Sequence, residues 1–287
     1  MNDFAIKHQK VLNSYKEKWL LLDIQPKPLD KNEVERYIKK MYRICEISKQ
    51  PPVVWCNSPM SLLICLNILK AANKKKKENV RYPLAEAINF FSLDEYWKKV
   101  LPETLFSSLL NITFFNPVFS KLPSFSTPLW KNYYKILFNV IDKNNVMINN
   151  KDEIDRLFPK ETIESQIWDF LLRSSGNLMS KPIRESGFGP KKISLVSELD
   201  FFRFGLKMIE ETSQAHPLIE LNSMGCWVLP YKQICFVSGP PTVININANG
   251  QLHNPNGYAV EYLDGWGFYA CNGITGSTKD AVLAKLK

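Results

Sequence analysis

Histidine occurs at only three positions in the 287 residues, 8, 216 and 253, so imidazole chemistry has few candidates. His8 reads as lying on a polar helix face, and His216, just before Pro217, reads as part of a loop. His253 opens the run HNPNGYAVEYLDGWGFYACNG, residues 253–273. A histidine beside a carboxylate is oriented by it and poised near neutral pH. Glu261 and Asp264 follow His253 in the same run, a separation that neighbouring hairpin strands can close. His253 and Asp264 are therefore the candidate general base and its partner. A structural reading stands beside this one. Asn-Gly or Asp-Gly pairs recur at 249–250, 256–257, 264–265 and 272–273, and such pairs favour two-residue hairpin turns. The segments between them are β-branched or aromatic, as strands require. On that reading Asp264 is a turn residue, and His253 is a hydrogen-bonded histidine near the start of a strand.

A second stretch with chemical potential is PPVVWCNSPMSLLICLNILKAAN, residues 51–73. Val53 to Cys56 is β-prone and Asn57 turns the chain. Ser58 is a good N-cap, and Pro59 suits the first helical position, where its missing N–H costs nothing. A strand feeding a helix N-terminus aims free backbone N–H groups at one point, a natural seat for phosphate or carboxylate. Trp55, Asn57 and Ser58, with Trp266 of the C-terminal run, are the candidate ligand-binding residues. The turn lacks the glycines of a P-loop.

Net charge is +9, from 37 Lys and Arg against 28 Asp and Glu, which favours anionic partners. Lys74, Lys75, Lys76 and Lys77 form a lysine-rich loop after the apolar run. Arg184, Lys191 and Lys192 fall in SSGNLMSKPIRESGFGPKKIS, a Gly- and Pro-bearing stretch that reads as a mobile loop or internal boundary. These seven are the candidate nucleic-acid contacts. WKNYYK at 130–135 interleaves lysines with aromatics, either as a base-stacking surface or as a helix whose aromatics face the core.

Six cysteines lack any Cys-x-x-Cys spacing, and Asp-x-Asp clusters are absent, so neither a metal nor another cofactor is expected. With no apolar signal region and no apolar run long enough to span a bilayer, the expected location is cytoplasmic, away from membranes.

These residues must be positioned by elements of two kinds. A helix introduced by Asp30, with Glu33 three residues on, buries Val34, Tyr37, Ile38, Met41, Ile44 and Cys45, and turns Arg36, Lys39, Lys40 and Arg43 outward. Further helices are expected over about 83–140, over 161–173, and after a cap at Ser197. The fold class is α+β: a mostly helical body, 1–225, with one short internal strand near 53–56, then an antiparallel β-meander, 226–274, packed on it, and a tail, 275–287. The turn at Asn57–Ser58 is expected to lie close to the meander.

Four segments together resemble an uncharacterised bacterial domain family of hypothetical proteins, some of them linked to leucine-rich-repeat proteins. They are PPVVWCNSP (51–59), LDFFRF (199–204), WVLPY with GPPTV (227–243) and LHNPNGYAVEYLDGWGFYACNGI (252–274). The last is similar to the family's pattern of Leu-His, Gly-x-Ala and Asp-Gly-Trp. Tyr258 stands where that family usually has proline, and Cys271-Asn272 where it usually has Trp-His, which removes a second histidine. The resemblance implies a shared fold, without an activity. The function expected is binding of, or action on, an anionic ligand, RNA or a nucleotide phosphate. The alternatives are an enzyme on a small molecule or peptide with His253 as base, and a module that binds a protein partner.

Overall fold

The computed structural model describes residues 10–11, 13–15, 17–19, 28–82, 84–87, 89, 103, 129–143, 162–174 and 190–286. In chain order its elements are α1 (Lys31–Ile44), β1 (Val53–Cys56), α2 (Pro59–Lys77), α3 (Trp130–Lys143), α4 (Ile163–Ser174), α5 (Pro190–Asp200), α6 (His216–Ser223), β2 (Trp227–Pro230), β3 (Cys235–Ser238), β4 (Val243–Ile244), β5 (Val260–Glu261), β6 (Gly267–Cys271), β7 (Ile274–Gly276) and α7 (Lys279–Leu286). Helices precede a C-terminal antiparallel sheet, and the class is α+β. Two compact units share the chain. The first comprises Met1–Gln50, Leu129–Trp168 and Phe188–Cys226, and the second Pro51–Pro128, Asp169–Gly187 and Trp227–Lys287.

In the first unit α1 begins as its sequence dictates. The Asp30 carboxylate accepts from the backbone N–H groups of Asn32 and Glu33, two of the donors a helix start leaves unpaired. Glu33 turns instead to Arg36, 2.6 Å away. Val34, Tyr37, Ile38, Met41 and Tyr42 are buried, while Arg36, Lys39, Lys40 and Arg43 are exposed. α1 packs on α6, and α6 on α5. In α3, Trp130, Tyr133 and Leu137 are buried, and the Tyr133 hydroxyl donates to the Gln214 carbonyl at 2.7 Å. The WKNYYK aromatics at 130 and 133 thus serve the core. Ser197 does not cap a helix, because α5 begins at Pro190 and runs through it, with Ser197 buried inside. After Asp200 the helix widens into a π-turn, Phe201–Gly205.

In the second unit β1 does not stand alone. It pairs parallel with β3, Val53 opposite Cys235 and Cys56 opposite Ser238, and β3 pairs antiparallel with β2. The expected single meander over 226–274 is therefore two sheets, this three-stranded one and a four-stranded one in the order β4-β5-β6-β7. From Met60 to Leu66 every residue of α2 is buried, so the helix is apolar on all sides until it emerges at its lysines. The expected loop at 74–77 is the last turn of α2. Lysine is a good helix former, and cations suit a helix C-terminus. Within the stretch read as a tail, Thr275 and Gly276 complete β7 and Lys279–Leu286 forms α7, which packs on β6 and β7.

The four turn pairs resolve into three geometries. Asn272 and Gly273 both have positive φ, 48° and 79°, and join β6 to β7 as the two-residue turn the pair favours. At 264–265 and 249–250 only the glycine is left-handed, at 77° and 74°, and each closes a three-residue loop. Asn256-Gly257 is held by Asn254, whose Oδ1 accepts from both backbone N–H groups. Alanine at Gly273 should cost about 1–2 kcal/mol through its left-handed backbone. Alanine at Gly267 should cost more, about 2–3 kcal/mol, because its Cβ would meet the Val260 carbonyl oxygen of the paired strand. Urea midpoints of the two variants test that order, and an equal or reversed loss contradicts the close approach of β5 and β6.

Candidate functional site

The strand–turn–helix at 53–77 and the meander meet at a buried hydrogen-bond network within the second unit. Ser58 Oγ donates to Asp264 Oδ2 at 2.7 Å. The same Oγ accepts from the Ser61 backbone N–H at 3.0 Å, and Ser61 Oγ accepts from the Ser58 N–H at 3.0 Å, a reciprocal cap. Asp264 Oδ1 accepts from the Trp266 N–H at 3.1 Å, which fixes the three-residue loop. Ser58, Ser61 and Asp264 are all buried. Burial pushes the Asp264 carboxyl above its ordinary value, against the opposing pull of its bonds to Ser58, Trp266 and Ser61. Asp264 thus stands where the sequence foresees an external phosphate or carboxylate, at the N-terminus of α2. The chain supplies its own anion there. Asn57 and Ser58 are adjacent to it, but Ser58 is committed to holding Asp264.

His253 is not Asp264's partner. Its Nδ1 accepts from the Asn272 N–H at 3.1 Å, and its backbone N–H donates to the Asn245 carbonyl at 2.9 Å. It stands beside the turn after β6, whereas Asp264 lies in the loop before β6. From 266 to 272 the strand covers roughly 20 Å at about 3.3 Å per residue. The sequence separation that suggests closure places the two at opposite ends of one strand. His253 therefore has the turn-holding role of its structural reading.

Trp266 is core as well. Only 3 % exposed, its ring lies 5.3 Å from that of Tyr262, 6.1 Å from Phe268 and 6.2 Å from Phe170. Trp55 and Asn57 are partly exposed. Lys74 and Lys75 lie 3.9 and 3.4 Å from the carboxylate of Glu78, and the four lysines fan around the axis at about 100° intervals. Lys191 and Lys192 fall in the first turn of α5. Arg184 lies outside the described residues, as does most of the glycine-bearing stretch around it. Burial pushes the Cys45 thiol up to about 11 and the Cys226 thiol up to about 12, which removes them as nucleophiles near neutral pH. Among the described residues no group of three or more His, Cys, Asp or Glu could hold a metal, and no helix is long and apolar enough to cross a membrane.

A different cluster, in the first unit, holds the chemistry that the sequence reading passes over. His216 is not in a loop. It opens α6, with Pro217 in the first turn, where proline's lack of an N–H is tolerated. One turn on, Glu220 Oε1 lies 3.1 Å from His216 Nε2. The imidazole meets the Tyr37 ring of α1 edge-on at 5.5 Å and the Phe204 ring of the π-turn edge-on at 6.4 Å. Lys40 Nζ lies over the Tyr37 ring at 4.9 Å and the Arg36 guanidinium at 5.2 Å. Burial lowers the His216 imidazole, Arg203 and Lys40 lower it further, and Glu220 opposes them. Of its partners only Glu220 is local; Tyr37 and Phe204 come from two other elements. The signals available in sequence are the four-residue spacing of His216 and Glu220, which puts them on one helix face, and Phe204 of the LDFFRF segment. Compared with models of protein families, with curated proteins and with solved structures, the chain matches none.

Proposed function

We propose that the protein is a cytoplasmic binder of a phosphate-bearing polymer, RNA, and that the exposed face of α1 carries the contact. The observation behind this reading is the row Arg36, Lys39, Lys40 and Arg43, exposed on one face over two turns and bordered by the Tyr37–His216–Phe204 aromatic group. Cations along a backbone track, beside an exposed ring that accepts a base, here Phe204, are the ingredients of strand binding without strict sequence choice. The net charge of +9 adds long-range attraction for a polyanion. The helix has no competing acidic run on that face, and Glu33 occupies only Arg36. Asp264's place at the N-terminus of α2 argues against a phosphate at the Asn57–Ser58 turn.

Fluorescence anisotropy of a labelled RNA oligomer, read between about 50 and 200 mM salt, tests the reading. The variant R36Q/K39Q/K40Q/R43Q should bind at least about tenfold more weakly at the low end. Its log–log salt slope should be shallower by about 3, the value for four lost contacts on a single strand. The variant K74Q/K75Q/K76Q/K77Q should lose less, about threefold, since its lysines point in different directions and two lie by Glu78. Absence of binding by the wild type at about 50 mM salt sinks the reading. A larger loss in the second variant than in the first moves the contact to the end of α2.

A further inference from the structure

Resting on the RNA reading above, we propose that Phe204 is a stacking platform for an unpaired base, so that the ligand is single-stranded RNA rather than a duplex. The π-turn creates the platform. In an ordinary helix, residues three apart lie on one face, and Phe204 would follow Phe201 into the core. Over Phe201–Gly205 the turn is one residue wider, with the Leu206 N–H donating to the Phe201 carbonyl at 3.0 Å. Phe201, Phe202 and Arg203 are buried, and Phe204 is rotated outward to 43 % exposure. Wide turns of this kind are uncommon and concentrate at functional sites.

The ring is also held in place. The Arg203 guanidinium lies over it at 5.4 Å, and Arg203 is itself fixed by Nη1 donating to the Ile209 carbonyl at 2.6 Å and to Thr212 Oγ1 at 3.4 Å. His216, steadied by Glu220, meets the same ring edge-on at 6.4 Å. A ring with fixed orientation loses little freedom when a base stacks on it. Charge decides the occupant. Lys40 and Arg36 lie over Tyr37, the ring next to His216, so a backbone tracked by α1 passes within reach of the platform. A duplex keeps its bases in the stack and offers this ring nothing, whereas a single strand offers a π-face at every residue.

The test compares oligoadenylate, oligouridylate, a duplex of the same length and inorganic polyphosphate as ligands for wild type, F204A, F204W and F138A. Phe138 is the control, an exposed aromatic at 42 % on α3. The expected result is a wild-type preference for single strands, reduced about tenfold by F204A, with duplex and polyphosphate binding unchanged. F204W should restore the preference, which shows that loss in F204A is not misfolding. F204A binding every ligand as the wild type does overturns the platform and leaves the anion reading intact. An equal loss on polyphosphate, or a loss in F138A with none in F204A, overturns it too. Wild type that binds no RNA but folds normally fails both the platform and the RNA reading.

Discussion

Trp266→Ala should lower the stability of the protein by about 3–5 kcal/mol, the range for emptying a large aromatic site in a packed core. The indole is 3 % exposed and shares a cluster with Phe170, Tyr262 and Phe268, in which Phe170 and Phe268 stack with centroids 4.1 Å apart. Removing it leaves those rings facing a void that backbone fixed by β6 and α4 closes only in part. Trp266→Phe should cost much less, about 1–2 kcal/mol, because most of the contact survives. Chemical denaturation monitored by far-UV circular dichroism measures both. A Trp266→Ala protein with unchanged midpoint and weakened ligand binding would restore Trp266 to a ligand-contacting role.

Asp264→Ala should cost about 2–4 kcal/mol, since the Ser58 hydroxyl and the Trp266 N–H each lose a buried acceptor worth roughly 1–3 kcal/mol, offset in part by removing a buried charge. Asp264→Asn keeps the volume and one acceptor, and should lose about 1 kcal/mol or less. The two variants separate hydrogen bonding from charge. Burial holds the folded carboxyl above its unfolded value of roughly 3.9. Over that window the folded protein keeps a proton that the unfolded chain has released. The carboxyl's contribution to stability is therefore complete below the unfolded value and declines as pH rises through the folded one. Wild type should lose stability relative to Asp264→Asn as pH is raised from about 4 toward neutrality. Parallel profiles for the two proteins would contradict the raised carboxyl, and an Asp264→Ala midpoint equal to the wild type would contradict the network.

Legibility in the sequence follows the reach of the interaction. Asp30 and Ser58 are N-caps because each side chain closes a hydrogen bond to a backbone N–H two or three residues on. The Asn272-Gly273 turn, the buried stripe of α1 and the short strand before Ser58 are likewise decided within a few residues. The same local signals mislead where a local choice is neutral. Lys74 to Lys77 look like a loop by charge, yet a helix already running tolerates them at its end. His216 looks like a loop by its neighbour Pro217, yet proline is welcome in a first turn.

The class, the N-caps at Asp30 and Ser58, the hairpin turn at 272–273 and the apolar face of α1 are legible in the chain alone, because backbone hydrogen bonding and side-chain periodicity are properties of neighbouring residues. Long-range packing sets the pairing of β1 with β3 at Val53 and Cys235, the seat of Asp264 at the N-terminus of α2, the separation of His253 from Asp264 along β6, and the meeting of His216 with Tyr37 and Phe204. Each of those contacts joins segments whose individual sequences are satisfied by several arrangements. The choice among them comes from burying the apolar faces together while most buried polar groups keep a partner.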